Sequence, residues 1–169
     1  MDLETAIRER RTTKNFTDEP VDPAVVRELV ELATWVPNHK MTAPWRFRLV
    51  GPEATASLID IAPADKKGKV VKAQTRVLVS CVVVGDPGRR EEDLFSTAAA
   101  VQNLLLAATA RGIDSFWQTP TIPALPASRF KLGIPDDEQL VAVVHLGFSR
   151  DERTVPPRVD VDTVYSELP

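Results

Sequence analysis

Apolar residues along the chain fall into short blocks whose spacing alternates between that of a helix and that of a strand. Leu3, Ala6 and Ile7 share one helical face behind Asp2, a residue able to cap, and this predicts a short helix over Leu3–Glu9. Asp22-Pro23 supplies a cap followed by proline in the first turn, and Val26, Leu29, Val30 and Ala33 follow at helical spacing. Trp45, Phe47 and Leu49 then alternate with Arg46 and Arg48, the pattern of a half-buried strand that stops at Gly51-Pro52. Another short helix is expected over Glu53–Ala62. The near-continuous apolar run Val77–Val84 predicts a central strand covered on both faces. The longest helical signal runs from Glu91 to Arg111, with Gly112 at the position after the cap. Ile113–Thr119 reads as a strand entering a proline-rich turn, Ala127–Leu132 as a short helix, and Leu140–Phe148 as a strongly apolar strand.

Three stretches do not fit a simple amphipathic scheme. The Glu91–Arg111 helix has an apolar surface too wide for one stripe, and in so small a chain this predicts half core and half subunit interface, hence a homodimer. Residues Ala64–Arg76 carry Lys66, Lys67, Lys69 and Lys72, and read as a solvated surface segment or a lid. The tail from Ser149 is polar and has no core pattern of its own, yet ends in Val161, Val164 and Tyr165, so it is expected to pack on something, a partner subunit included.

Composition narrows the picture without deciding it. With 169 residues and 43% hydrophobic content the chain fits one compact domain. A formal net charge of −3 provides no global field for nucleic acid, so an anion site must be local. Cys81 is the only cysteine, which excludes an intramolecular disulfide and suits a reducing compartment. Asp2 and Glu4 stand where a secretory signal needs an apolar core, and no run of eighteen apolar residues exists, so a cytoplasmic protein is expected.

Candidate chemistry concentrates in two places. The stretch Trp35-Val36-Pro37-Asn38-His39-Lys40-Met41-Thr42-Ala43-Pro44-Trp45-Arg46-Phe47 holds one of two histidines and two of three tryptophans between a helix and a strand. It reads either as a ligand-holding loop or as a proline-stiffened corner whose tryptophans fill the core. Arg8, Arg10, Arg11 and Lys14, with Thr12 and Thr13 between them, read either as cations matched to a helix C-terminus or as an anion grip. His145 lies in a buried strand and reads as a core histidine. Glycine-rich phosphate loops, metal-ligand spacing and nucleophile motifs are all missing from the sequence, so an enzyme of this type would draw its chemistry from an organic cofactor.

Taken in order, these pieces resemble the flavin-dependent nitroreductase-like oxidoreductases, in particular their short members. Arg10-Arg11-Thr12-Thr13-Lys14-Asn15-Phe16 is similar to the family's N-terminal Arg-Arg-Ser-x-Arg-x-Phe, and the tryptophan-rich loop to its Ala-Pro-Ser/Asp-His-x-x-x-Gln-Pro-Trp-x-Phe. Ala99–Gly112 resembles its Asn-Leu helix; Gly133-Ile134-Pro135, Leu146-Gly147-Phe148 and Pro156-Pro157-Arg158 resemble its C-terminal strand and arm. The chain departs from the pattern at Met41 and Ala43, where the family has asparagine and glutamine.

The resemblance implies an α+β, three-layer fold with a mainly antiparallel central sheet flanked by helices. It also implies a homodimer with swapped C-terminal arms (residues 150–169) and FMN at the interface. Arg10, Thr12 and Arg158 would hold the FMN phosphate, and Arg11 and Lys14 would lie near the ribityl chain and pyrimidine edge. Trp35, Asn38 and His39 would come from the loop, and Trp117, Gln118 and Thr119 would line the isoalloxazine. The implied activity is FMN-dependent NAD(P)H oxidoreduction, a ping-pong cycle through flavin N5 with nitroaromatic or quinone-like acceptors. A non-catalytic flavin-binding dimer, serving storage or sensing, is the alternative.

Overall fold

The computed structural model describes residues 1–152 and 154–169. Four strands form one sheet in the order β1-β2-β4-β3, each neighbouring pair antiparallel: β1 Trp45–Leu49, β2 Thr75–Val82, β3 Asp114–Gln118 and β4 Glu138–Gly147. Among the described residues six α-helices accompany it: α1 Leu3–Glu9, α2 Pro23–Ala33, α3 Pro52–Ile61, α4 Lys67–Val70, α5 Pro87–Ala110 and α6 Pro126–Leu132. No described helix is long and apolar enough to cross a membrane.

The period of two along the strands divides the sheet into two faces. Val77, Val79, Ala142, Val144 and Leu146 face α2 and α5, forming the main core with Leu29, Ala100, Val101, Leu104 and Ala108. Leu78 and Val143 project to the other side, where Ile134 closes a smaller cluster, and Leu58, Ala62, Val70 and Ile122 form a third beside it. The resulting order is helices, sheet, helices. This is the three-layer α+β arrangement that the resemblance implies, and β2 is buried on both faces as its apolar run requires.

Boundaries shift where caps and turns intervene. α5 begins four residues earlier than its apolar pattern, because Asp86 accepts a hydrogen bond from Arg89 N at 3.2 Å and Pro87 takes the first turn. Gly112 adopts φ +74° after this helix, as its C′ position demands. β2 starts at Thr75, so the lysine-rich stretch ends inside the sheet. The lysines of that stretch lie at or near the surface while Val70 anchors it, packed with Leu58 and Ala62 of α3 and with Ile122, and Ala73 is buried. The outer side of α5 and its surroundings stay apolar, with Leu3, Leu32, Trp35 and Leu106 lining a groove of about 420 Å³.

β4 ends in a close contact that a substitution can probe. A Cβ built on Gly147 would lie 3.0 Å from Cδ1 of Phe16, a buried ring. Gly147→Ala is expected to destabilise the fold by about 1–2 kcal/mol through overpacking, read as a lower chemical-denaturation midpoint; an unchanged midpoint would show that Phe16 moves aside freely.

Candidate functional site

The segment after α1 is stitched to the start of the tail, and this positions the arginine cluster. Thr12 bridges to Ser115 and Phe16 to Ser149. Thr13 N donates to Ser115 O at 3.0 Å, Thr17 N to Phe148 O at 2.8 Å, and Arg150 N to Asn15 O at 3.0 Å. The buried Asp114 carboxylate takes Thr13 Oγ1 at 3.4 Å and Ser149 N at 2.9 Å, so one side chain ties together both walls of the site. Arg150 adds Nε to Phe16 O at 2.8 Å and Nη2 to Asp18 at 2.9 Å.

Between these walls opens a groove of about 680 Å³ lined by Arg10, Arg11, Thr12, Lys14 and Arg158, with Asp151 and Glu152 on its tail side. The Arg10 guanidinium is depressed below its ordinary value, first by burial and then by the neighbouring charges of Arg11 and Arg158. Arg11 donates Nη1 to Arg10 O at 2.6 Å, while its buried Nε has no hydrogen-bond partner among the described residues. Three cations that repel one another, one with an orphaned buried donor, fit a polyanionic ligand such as a phosphate monoester.

Lys14 also lines a second groove, of about 460 Å³, floored by Phe116, Trp117, Gln118 and Thr119. The two grooves therefore meet at Lys14, and a ligand with an anionic end and a flat ring would span both. Lys69 and Lys72 stand on the far side of the second groove. Their spacing alone reads as a solvated segment or a lid, and only the fold places them beside Trp117–Thr119.

Trp35, Asn38 and His39 are not brought to these grooves within one chain. Trp35 is 80% exposed and lines the apolar groove by α1 and α5, whereas Trp45 packs on the main core. The two tryptophans thus divide between the ligand-loop and corner-filling readings. His39 Nδ1 lies 3.7 Å from Glu92 on α5. Asn38 spends its carboxamide inside the loop: Oδ1 accepts from Ala43 N at 2.9 Å and Nδ2 donates to Thr42 Oγ1 at 2.9 Å. Thr42 in turn donates to the buried Asp93 at 2.6 Å.

This network holds an unusual backbone. Lys40, Met41 and Ala43 have φ of +52°, +54° and +46°, a conformation that costs a side-chain-bearing residue on the order of 1 kcal/mol or more. Asn38→Ala is expected to destabilise the loop by about 1–2 kcal/mol and to accelerate amide exchange at Thr42 and Ala43; unchanged protection there would assign the strain to some other support.

Comparison with known proteins decides the family. Residues 7–81 and 78–148 match the model described as Nitroreductase family. The chain belongs to the nitroreductase family. It is 29% identical over 182 residues to YfhC of Bacillus subtilis (strain 168), a protein provisionally named as an NAD(P)H nitroreductase, covering 98% of this chain and 94% of that one. In fold it is similar to the crystal structure of a nitroreductase-like family protein from Bacillus cereus, with TM-score 0.87, 23% identity and coverage of 99% and 96%. It is likewise similar to the FMN and NADPH-dependent nitroreductase NfnB from Sphigopyxis sp. strain HMH, with TM-score 0.81, 19% identity and full coverage of both chains. Within this family fold the two joined grooves lie at the edge of the sheet, where β3 meets the N-terminal segment and the tail.

Proposed function

We propose that this nitroreductase-family chain is an FMN-dependent NAD(P)H oxidoreductase that reduces nitroaromatic or quinone-like acceptors. The observation that carries the reading is the convergence of Arg10, Arg11 and Arg158 on one groove, with Arg11 Nε buried and unpartnered, next to a ring-sized groove over Trp117–Thr119. Names of relatives agree with it, since NfnB is described as FMN and NADPH-dependent and YfhC as an NAD(P)H nitroreductase.

Bound FMN would supply hydride acceptance and donation at N5, taking electrons from NAD(P)H and passing them to the acceptor in turn. Arg10, Thr12 and Arg158 would hold its phosphate, Arg11 would face the ribityl chain, and Lys14 the pyrimidine edge. Trp117, Gln118 and Thr119 would form the wall along the ring. Lys14 is the cation available to balance negative charge that develops on that ring.

The assembly proposed is a homodimer. Leu3 and Ile7 on α1, Leu32 on α2, Trp35 just after it and Phe95 on α5 are exposed, apolar surface that a partner subunit would cover. The tail leaves Val155, Val159, Val161, Val164 and Tyr165 exposed, as an arm that wraps a partner would. Trp35, Asn38 and His39, remote from the grooves in their own chain, would then serve the partner's flavin from across the interface.

One observation favours the second reading, a flavin-binding dimer without turnover. The loop offers Met41 and Ala43 at family amide positions, and the one amide nearby, Asn38, is already engaged. The test is an absorption spectrum from about 300 to 550 nm of the purified protein, taken before and after adding FMN and desalting. The proposal expects retained flavin bands that bleach with NAD(P)H and recover with a quinone. Bands that never bleach would select the idle dimer, and no bands would sink both readings.

A further inference from the structure

Behind the second groove β3 and β4 bring a histidine and a glutamine together. His145 is 0% exposed, and its partners in register are Arg76 on β2 and Phe116 on β3. Its ring stacks on Phe116 with centroids 5.5 Å apart and planes inclined by 19°. Nε2 lies 3.0 Å from Oε1 of Gln118, and Nδ1 has no hydrogen-bond partner among the described residues.

Two neutral tautomers exist. A hydrogen on Nδ1 would leave an orphaned N–H donor in the core, the rarer and costlier defect. A hydrogen on Nε2 leaves only an unused lone pair at Nδ1 and donates to Gln118 Oε1. A doubly protonated ring is disfavoured by burial and then by Arg76 and Lys72, which together push the pKa down to about 4. The imidazole is thus a fixed neutral donor. With Oε1 held by His145, the NH2 is the end of the Gln118 carboxamide left for a ligand, and Gln118 lines the groove beside Lys14, Lys69 and Lys72, with no aspartate or glutamate among the described residues of that wall.

We propose that His145 is a positioning residue: it locks Gln118 with its amide donor facing the groove, so that the wall favours a ligand edge carrying carbonyl oxygens or negative charge. This rests on the flavoprotein reading and deepens it, since the edge in question is the carbonyl-bearing pyrimidine edge of the flavin, which gains negative charge on two-electron reduction.

The test uses the FMN-loaded protein and reads the two-electron midpoint potential. Gln118→Leu removes the donor and is expected to loosen the reduced flavin about tenfold relative to the oxidised one, lowering the potential by about 30 mV. His145→Phe keeps the stacked ring without the donor and is expected to lower it in the same direction. The double variant adds nothing further, and His145→Gln, which retains a donor, recovers most of the shift. A histidine that only fills space would lower the melting temperature in His145→Phe and leave the potential alone, which overturns the proposal. Long-range nitrogen-proton spectra of the imidazole in the wild-type protein at pH 7 decide independently: the Nε2–H tautomer supports the lock and the Nδ1–H tautomer refutes it, even where a variant does not fold. If the wild type retains no FMN, the flavoprotein reading fails, and the tautomer still settles whether His145 fixes Gln118.

Discussion

Arg10→Ala is expected to weaken FMN binding by about 1.5–3 kcal/mol, roughly 10- to 150-fold in Kd. Arg10 sits part-buried among like charges, and its guanidinium is depressed by burial first and by Arg11 and Arg158 next. A phosphate monoester, carrying close to two negative charges at neutral pH, would offset that repulsion and accept the fork at once. Arg10→Lys should recover only part of the loss, because a point charge keeps the attraction but not the bidentate geometry. Flavin fluorescence titration measures both variants. An unchanged Kd in Arg10→Ala would remove this residue from the site and, with it, the strongest argument for where the phosphate binds.

What the sequence made legible follows from which forces act locally. Asp2 and Asp22 cap their helices through hydrogen bonds within three residues, and β1 carries its own alternation, so these elements are legible from neighbouring letters; the first turn of α5, capped by Asp86, is not, because the apolar pattern begins only at Glu91. The arginine cluster was legible for the same reason: Arg10, Arg11, Thr12 and Lys14 are contiguous, and the structure brings Arg158 to them. Long-range contacts were not legible. Lys69 and Lys72 look like any solvated lysines until the fold sets them beside Trp117–Thr119. His145 looked like a core residue, and it is one, but its bond to Gln118 depends on the register of β3 with β4. Asn38 shows the converse. Its place in a family-like loop points to a ligand contact, and what neighbouring letters do not show is that both ends of its amide also hold three left-handed residues in place.

The largest expected effect on stability lies away from the grooves, in a charged cluster that joins three strands. Glu138 at the start of β4 is buried and accepts both arms of the Arg48 guanidinium, Nη1 at 2.7 Å and Nη2 at 2.8 Å, while Ser80 on β2 donates to the same carboxylate. Arg48 Nη1 also reaches Ser80 Oγ at 2.9 Å. Glu138→Ala should cost about 2–3 kcal/mol, toward or below the low end for breaking a buried pair because the Arg48 side chain keeps 31% exposure and can draw water. Glu138→Gln retains the shape and should cost less. The pH dependence separates charge from shape. Hydrogen bonds from Arg48, outweighing burial, hold the Glu138 carboxyl below the usual carboxylate range. A depressed folded value means that the carboxylate contributes stability above its unfolded pKa of about 4.3 and loses it as pH falls through the folded one. The stability gap between wild type and Glu138→Gln, measured by denaturant unfolding, should therefore be full at pH 7 and shrink below pH 4. An equal gap at pH 7 and pH 3 would mean that the cluster acts by packing, with the ion pair contributing nothing of its own.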